Sequence, residues 1–240
     1  MVTVRRGLVV GSAALVALLA VLTATVGLGS LGWGVGLAGA VVTITWVARG
    51  ATSLGPADLV TLGRALLTCA LAGLVADSFL HDAAVGTLVA GATLALVSDL
   101  LDGWLARRTR TVSAFGARFD GEVDAFLILV LSVYVAEVVH GWVLAIGLAR
   151  YAFAAAGWVL PWMRAPLPPR YWRKVAAATA GIVLTVAAAQ VAPPWLTSAA
   201  LVVALGLLTE SFGRDVVWLW RHRSRERQRP DRPAGRVPRP

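Results

Sequence analysis

Cysteine occurs once in these 240 residues, at position 69 inside an apolar run, which excludes a disulfide framework and a cysteine-based metal site. Charge is scarce as well. Only 15% of the residues are Asp, Glu, Lys or Arg, and 13 of those are acidic, whereas 58% are hydrophobic. A soluble globular domain carries about 25% charged residues, so the composition excludes that class and points to an integral membrane protein. The 22 basic residues give a net charge of +9, yet half of them fall in two short stretches: Arg107, Arg108 and Arg110, and eight more from Arg221 to Arg239. Basic strips at the edge of a membrane segment suit anionic lipid headgroups, and no nucleic-acid partner is expected. Cys69 is read as a small buried hydrophobe.

What the chain does contain is long apolar runs. A spanning helix needs about 20 mostly apolar residues, and the sequence offers about eight such segments, near 7–27, 31–47, 59–77, 83–106, 118–139, 141–163, 174–192 and 195–220. Turn residues separate them at Gly27 to Gly32, Ser53 to Asp58, His81-Asp82, His140-Gly141, Pro166 to Pro169 and Pro193-Pro194. The first run follows Arg5-Arg6 but exceeds a signal-peptide core and lacks a small-residue cleavage site, so it is read as a retained helix. The expected fold is an all-α integral membrane protein. Residues 1–54 form a transmembrane hairpin, 55–220 a six-helix core, and 221–240 a disordered basic tail. The turns near 28–31, 78–82, 140 and 192–195 contain no Lys or Arg, while the opposite ends hold Arg5, Arg6, Arg49, Arg107, Arg108, Arg164, Arg170, Arg173, Lys174 and the tail. The positive-inside rule therefore places both termini in the cytoplasm. Asp77 and Glu137, near the outer helix ends, are expected to face water.

Of the few acids, five lie within residues 99–124, in SDLLDGWLARRTRTVSAFGARFDGEVDAF. Asp99 and Asp102 are three apart on one expected helix, and Asp120 and Asp124 four apart on the next, so each pair shares a helix face. With a short turn between them the helices are expected to be antiparallel neighbours, bringing four carboxylates to one volume near the cytoplasmic end. Gly103, Ala106 and Gly116 would allow close backbone approach. Glu122 points elsewhere and is left out.

An aspartate at mid-bilayer costs about 2.5–3.5 kcal/mol to insert, so four cost on the order of 10–14 kcal/mol before their repulsion is counted. A neutralising partner is required. Carboxylates on paired helices suit hard divalent ions, Mg²⁺ or Mn²⁺, holding a substrate phosphate. Two such ions could bridge a pyrophosphate, with Arg107 and Arg108 beside its oxygens. Capping by the helix dipole accounts for Asp120 but poorly for Asp124, Asp99 and Asp102.

These residues carry a resemblance to the CDP-alcohol phosphatidyltransferase family, whose signature runs D-x2-D-G-x2-A-R-x8-G-x3-D-x3-D. The chain matches it at Asp99, Asp102, Gly103, Ala106, Arg107, Gly116, Asp120 and Asp124. The resemblance implies that Asp99, Asp102 and Asp120 are metal ligands, with Asp124 near the metal and acting as general base. It also implies that Gly103 and Ala106 leave room for the nucleotide and that Arg107 meets its phosphates. The activity implied is transfer of a phosphatidyl group from CDP-diacylglycerol to a hydroxyl acceptor such as glycerol 3-phosphate, releasing CMP, in phospholipid synthesis at the inner (plasma) membrane. A weaker family feature, P-N-x-x-T-x-x-R, is matched at Thr61 and Arg64 but not at Ala57 and Asp58, and makes Arg64 a candidate phosphate contact.

Arg150 lies inside an expected span, where a charge is a functional candidate by default. With Arg170, Arg173 and Lys174 it is assigned to the acceptor pocket, the competing readings being a local ion pair for Arg150 and topology anchoring for the others. Glu210 and Arg214, four apart, are read as an ion pair. The rival functions are a CDP-choline or CDP-ethanolamine type phosphotransferase with a lipid acceptor, and, in another class, a divalent-cation transporter. A homodimer is left open.

Overall fold

Apolar runs broken by glycine, proline and polar turns become eight α-helices among the described residues: α1 (Val4–Val26), α2 (Ser30–Gly50), α3 (Pro56–Asp77), α4 (Val85–Thr109), α5 (Ala114–Val138), α6 (Leu144–Val159), α7 (Tyr171–Ala189) and α8 (Pro194–Arg227). The computed structural model describes residues 3–109, 113–165, 167, 168 and 170–227, and for 100, 102–107, 109 and 224–227 it describes the backbone only. No strand occurs among the described residues. The ends follow local chemistry. Gly27 takes a left-handed conformation (φ 73°) and closes α1 with its N–H on Leu22 and Thr23 carbonyls. Pro56 opens α3 at the first helical position, where its missing N–H costs nothing.

Six of the helical segments are long and apolar enough to cross a membrane: α1, α2, α3, Gly141–Val159, α7 and α8. Among the described residues α4 and α5, which carry the acid cluster, are not in that set; the described apolar stretch of α4 is Val85–Asp99. The expected span 141–163 is broken: a 3₁₀ turn at Gly141–Val143 leads into α6, and Pro161 stops it, leaving a second 3₁₀ turn at Pro161–Arg164. At the C-terminus α8 runs to Arg227, beyond the expected start of a disordered tail at 221. Nothing between 221 and 227 breaks a helix, and arginine is a good helix former. The remaining tail, 228–240, lies outside the described residues.

The most enclosed helix is α3, packed by α1, α2, α4 and α5. Its buried residues include Arg64, Leu66, Thr68, Cys69, Leu71 and Val75. The other central helix is α5, packed by α3, α6 and α7 and contributing Leu127, Leu131, Tyr134 and Val135 to the core. Small residues allow these contacts. Ala176, Ala180, Gly181, Leu184 and Ala188 form the buried side of α7, and a Cβ on Gly147 of α6 would stand 2.8 Å from the Leu129 backbone of α5. Large apolar side chains face outward instead, among them Val10, Val42, Ile182 and Val203. In water such a surface would aggregate; against lipid it is the expected covering.

The first two helices pack onto the core. Gly73 of α3 and Gly32 of α2 cross so closely that a Cβ on Gly73 would lie 2.5 Å from the Gly32 carbonyl oxygen. At one end Asp77, expected in water, is buried: its Oδ2 accepts from the Gly29 N–H (3.1 Å) and lies 3.4 Å from His81 Nδ1. The correction has a simple cause: the α1–α2 turn covers the end of α3 and offers an otherwise orphan backbone donor. At the other end Trp46 of α2 stacks on Phe115 (centroids 5.1 Å) and meets Phe119 (5.4 Å), both in the first turns of α5.

Candidate metal and phosphate site

The arrangement starts at the N-termini of α3 and α5. Asp58 Oδ2 accepts from the Gly55 N–H (2.8 Å), capping α3. Ser113 does the same for α5, its Oγ accepting from the Gly116 N–H (2.8 Å). Between the two caps the helices approach at Gly116, where a Cβ would lie 2.5 Å from Asp58 Oδ1 and 3.0 Å from Ser113 Oγ. One turn further along α5 come Asp120 and Asp124.

The carboxylates of Asp99, Asp120 and Asp124 converge, each offering an oxygen within 4.8 Å of the others. They converge through α3. Among the described residues α4 packs on α3 and α7, and α5 on α3, α6 and α7. Arg64 of α3 reaches into the cluster. Its Nη1 donates to Asp99 Oδ1, its Nη2 to Asp120 Oδ1, and Nη2 lies 3.2 Å from Asp124 Oδ1. Arg64 is only 2% exposed, while the three carboxylates stay partly open. Its helix position is braced by Thr68, whose Oγ1 donates to the Arg64 carbonyl (2.9 Å).

A cavity of about 420 Å³ opens beside this cluster, lined by Asp120, Asp124, Arg150, Arg173, Lys174 and Ser211 among others. A second, about 360 Å³ and mainly apolar, runs between α4, α5 and α7 along Leu96, Val97, Ile182 and Val186. Asp124 and Lys174 line both.

Of the residues singled out in the sequence, Asp99, Asp120, Asp124 and Arg64 meet at one point. The side chains of Asp102, Gly103, Ala106 and Arg107 lie outside the described residues. Arg64, expected at a phosphate, is engaged by the carboxylates. Arg150 lines the larger cavity and also donates to Glu122 Oε1, so both readings of it describe the same side chain. Arg173 and Lys174 line that cavity, whereas Arg170 meets Asp215. Arg170 and Arg173 share Asp215 of α8, at 3.6 and 3.5 Å. Asp215 is 1% exposed and was not among the sequence candidates. The available signal was an acid in a spanning helix with no basic residue three or four positions away, where Ser211, Phe212, Trp218 and Leu219 stand. Glu210 and Arg214 do form the ion pair their spacing suggests, and Glu210 also accepts from Trp172 Nε1 (2.6 Å).

The donor set fits a hard divalent cation. It consists of carboxylate oxygens alone, held close enough to share an ion, and a guanidinium already stands among them as a substitute positive charge. Neither the curated proteins nor the solved structures compared with the chain give a match. A family model does: residues 54–209, from the start of α3 into the first half of α8, match the one described as CDP-alcohol phosphatidyltransferase, whose members use a CDP-alcohol donor and an alcohol acceptor in membranes. With that match over most of its length and the acid cluster drawn from the signature, the chain belongs to the CDP-alcohol phosphatidyltransferase family, a family of membrane transferases.

Proposed function

We propose that the protein transfers a phosphatidyl group from CDP-diacylglycerol to the hydroxyl of a small phosphorylated polyol, such as glycerol 3-phosphate, and releases CMP. The observation that carries this reading is the position of Asp124. It belongs to the acid cluster and lines both an apolar cavity beside outward-facing helix surfaces and a second cavity bordered by the cationic side chains of Arg150, Arg173 and Lys174. A lipid-linked donor fits the first, and an anionic acceptor fits the second.

In the transfer, the acceptor oxygen forms a bond to the lipid-bearing phosphorus while the bond from that phosphorus to the CMP phosphate oxygen breaks. Asp124 accepts the hydroxyl proton, and CMP departs with the electron pair. Asp99, Asp102, Asp120 and Asp124 are the residues that would hold divalent metal, Mg²⁺ or Mn²⁺, as two ions. Bound there, the metal supplies neutralisation of the charge that grows on the pyrophosphate oxygens. Gly103, Ala106, Arg107 and Gly116 border the nucleotide in this reading. Arg150, Arg173 and Lys174 orient the acceptor's phosphate, and Arg170 supports Arg173. Cationic side chains around the cluster oppose the passage of a divalent cation, which favours a transferase over a transporter. In this reading the site and both termini face the cytoplasm, an orientation the arginine distribution supports.

The test is CMP release by purified protein with CDP-diacylglycerol and Mn²⁺ or Mg²⁺, across glycerol 3-phosphate, inositol phosphate and uncharged polyols, beside an arm with CDP-choline and diacylglycerol. Release with a phosphorylated acceptor, abolished by EDTA and restored by metal, supports the assignment. Release only in the CDP-choline arm overturns it. Asp124→Asn is expected to lower turnover at least 100-fold with metal still bound, and unchanged turnover removes Asp124 as base.

A further inference from the structure

Arginine is an unusual centrepiece for a cation site. Arg64 rises from the most enclosed helix of the bundle, is 2% exposed, and spans carboxylates from two other helices, Asp99 of α4 and Asp120 and Asp124 of α5. A charged guanidinium buried at that depth persists only where charge and hydrogen bonds are returned to it. The same holds for the acids: three carboxylates with oxygens inside 4.8 Å of one another repel strongly unless something positive lies among them. Each side solves the other's problem without metal.

We propose that Arg64 is the built-in counter-cation of this site: it holds the three carboxylates together in the metal-free protein and competes with divalent metal for the same oxygens. The inference rests on reading Asp99, Asp120 and Asp124 as metal ligands, and it assigns Arg64 a role besides binding phosphate. It has two consequences of opposite sign. Removing the guanidinium leaves uncompensated negative charge, so the metal-free fold weakens. The same loss removes a competitor and makes the cluster more negative, so metal binds more tightly. A unit charge about 4 Å away at an effective dielectric of about 20 changes a binding constant by about a thousandfold per unit of charge on the ion, and solvent screening of the partly open carboxylates reduces the expected effect to about tenfold.

The experiment uses the full chain in detergent without substrate. Mn²⁺ affinity is read from the loss of the free-ion paramagnetic resonance signal, and thermal unfolding is followed in EDTA and in saturating Mn²⁺. Arg64→Gln is expected to bind Mn²⁺ about tenfold more tightly than the unaltered protein, to unfold at a lower temperature in EDTA, and to recover most of that difference in Mn²⁺. Arg64→Lys keeps the charge on a single ammonium that cannot span three carboxylates, so it is expected to tighten Mn²⁺ binding by about two- to fivefold. If Arg64→Gln does not accumulate, the lysine variant decides. Mn²⁺ binding by the variants that is equal to or weaker than that of the unaltered protein overturns the counter-cation role while leaving the metal site standing. Absence of Mn²⁺ binding in the unaltered protein, or affinity unmoved by Asp120→Asn, overturns the metal site and this role with it.

Discussion

Gly116→Ala adds one methyl group at the point where α3 and α5 come closest, and the structure says what that methyl would meet. The new Cβ would stand 2.5 Å from Asp58 Oδ1 and 3.0 Å from Ser113 Oγ. Both side chains are held in place: Asp58 caps α3 through its other oxygen, Oδ2, which accepts from the Gly55 N–H, and Ser113 Oγ caps α5 by accepting from the N–H of residue 116 itself. Either a cap breaks, at about 1 kcal/mol, or the helix ends separate with an overpacking cost of about 1–3 kcal/mol. Alanine's better helix propensity returns about 1 kcal/mol. The expected net loss is about 0–2 kcal/mol, read as a lower unfolding temperature in detergent. Activity should suffer more than stability, because Asp120 lies one turn further along α5, and a 1 Å displacement of a reacting group costs about 100-fold. Gly63→Ala is the matched control: it lies on α3 beside Arg64, but its Cβ would meet nothing within 4 Å. It should be neutral or slightly stabilising. Wild-type CMP release by Gly116→Ala would refute the claim that this glycine sets the approach of the two helices.

Asp215→Asn leaves Arg170 and Arg173 facing each other around a neutral amide; because both arginines are about one-third open to solvent, the cost should be at the low end for a broken buried pair, about 3 kcal/mol. If Asp215 aims Arg173 into the cavity, the KM for a phosphorylated acceptor rises while kcat changes little, and Asp215→Glu recovers part of the loss; a change in kcat alone would refute that. Phe119→Ala removes a 3% exposed ring from the Trp46–Phe115–Phe119 stack immediately before Asp120. It should cost about 3–5 kcal/mol in thermal unfolding, with Phe119→Leu recovering most of it.

The helices and the acid cluster were legible because their signals are local. Apolar runs of spanning length, turn residues between them, and carboxylates at helical spacing need no knowledge of tertiary structure. What the sequence concealed was who stands between whom. Arg64 belongs to a helix 35 residues before Asp99, and no spacing rule links the two. Asp215 is separated from Arg170 by all of α7 and most of a turn-and-helix beyond it, and its nearest charged neighbour in sequence, Arg214, is engaged with Glu210. Asp77 looked like a water-facing helix end because the turn that buries it lies 48 residues earlier.

The same distinction governs how α4 and α5 are placed. A short connection constrains only the ends of two helices, whereas their packing is set by which faces carry small residues. The buried Ala and Gly side of α7 and the buried length of α3 receive both helices. The four-residue spacing of Asp120 and Asp124 therefore supplies ligands on one helix face, but their meeting with Asp99 depends on α3, and on Arg64 being long enough to bridge the gap it creates. A membrane site of this kind is assembled by its counter-charge as much as by its ligands: in a low-dielectric bundle, carboxylates gather only where a cation already waits or can enter. The residue that determines where they gather need not belong to the motif that names the family.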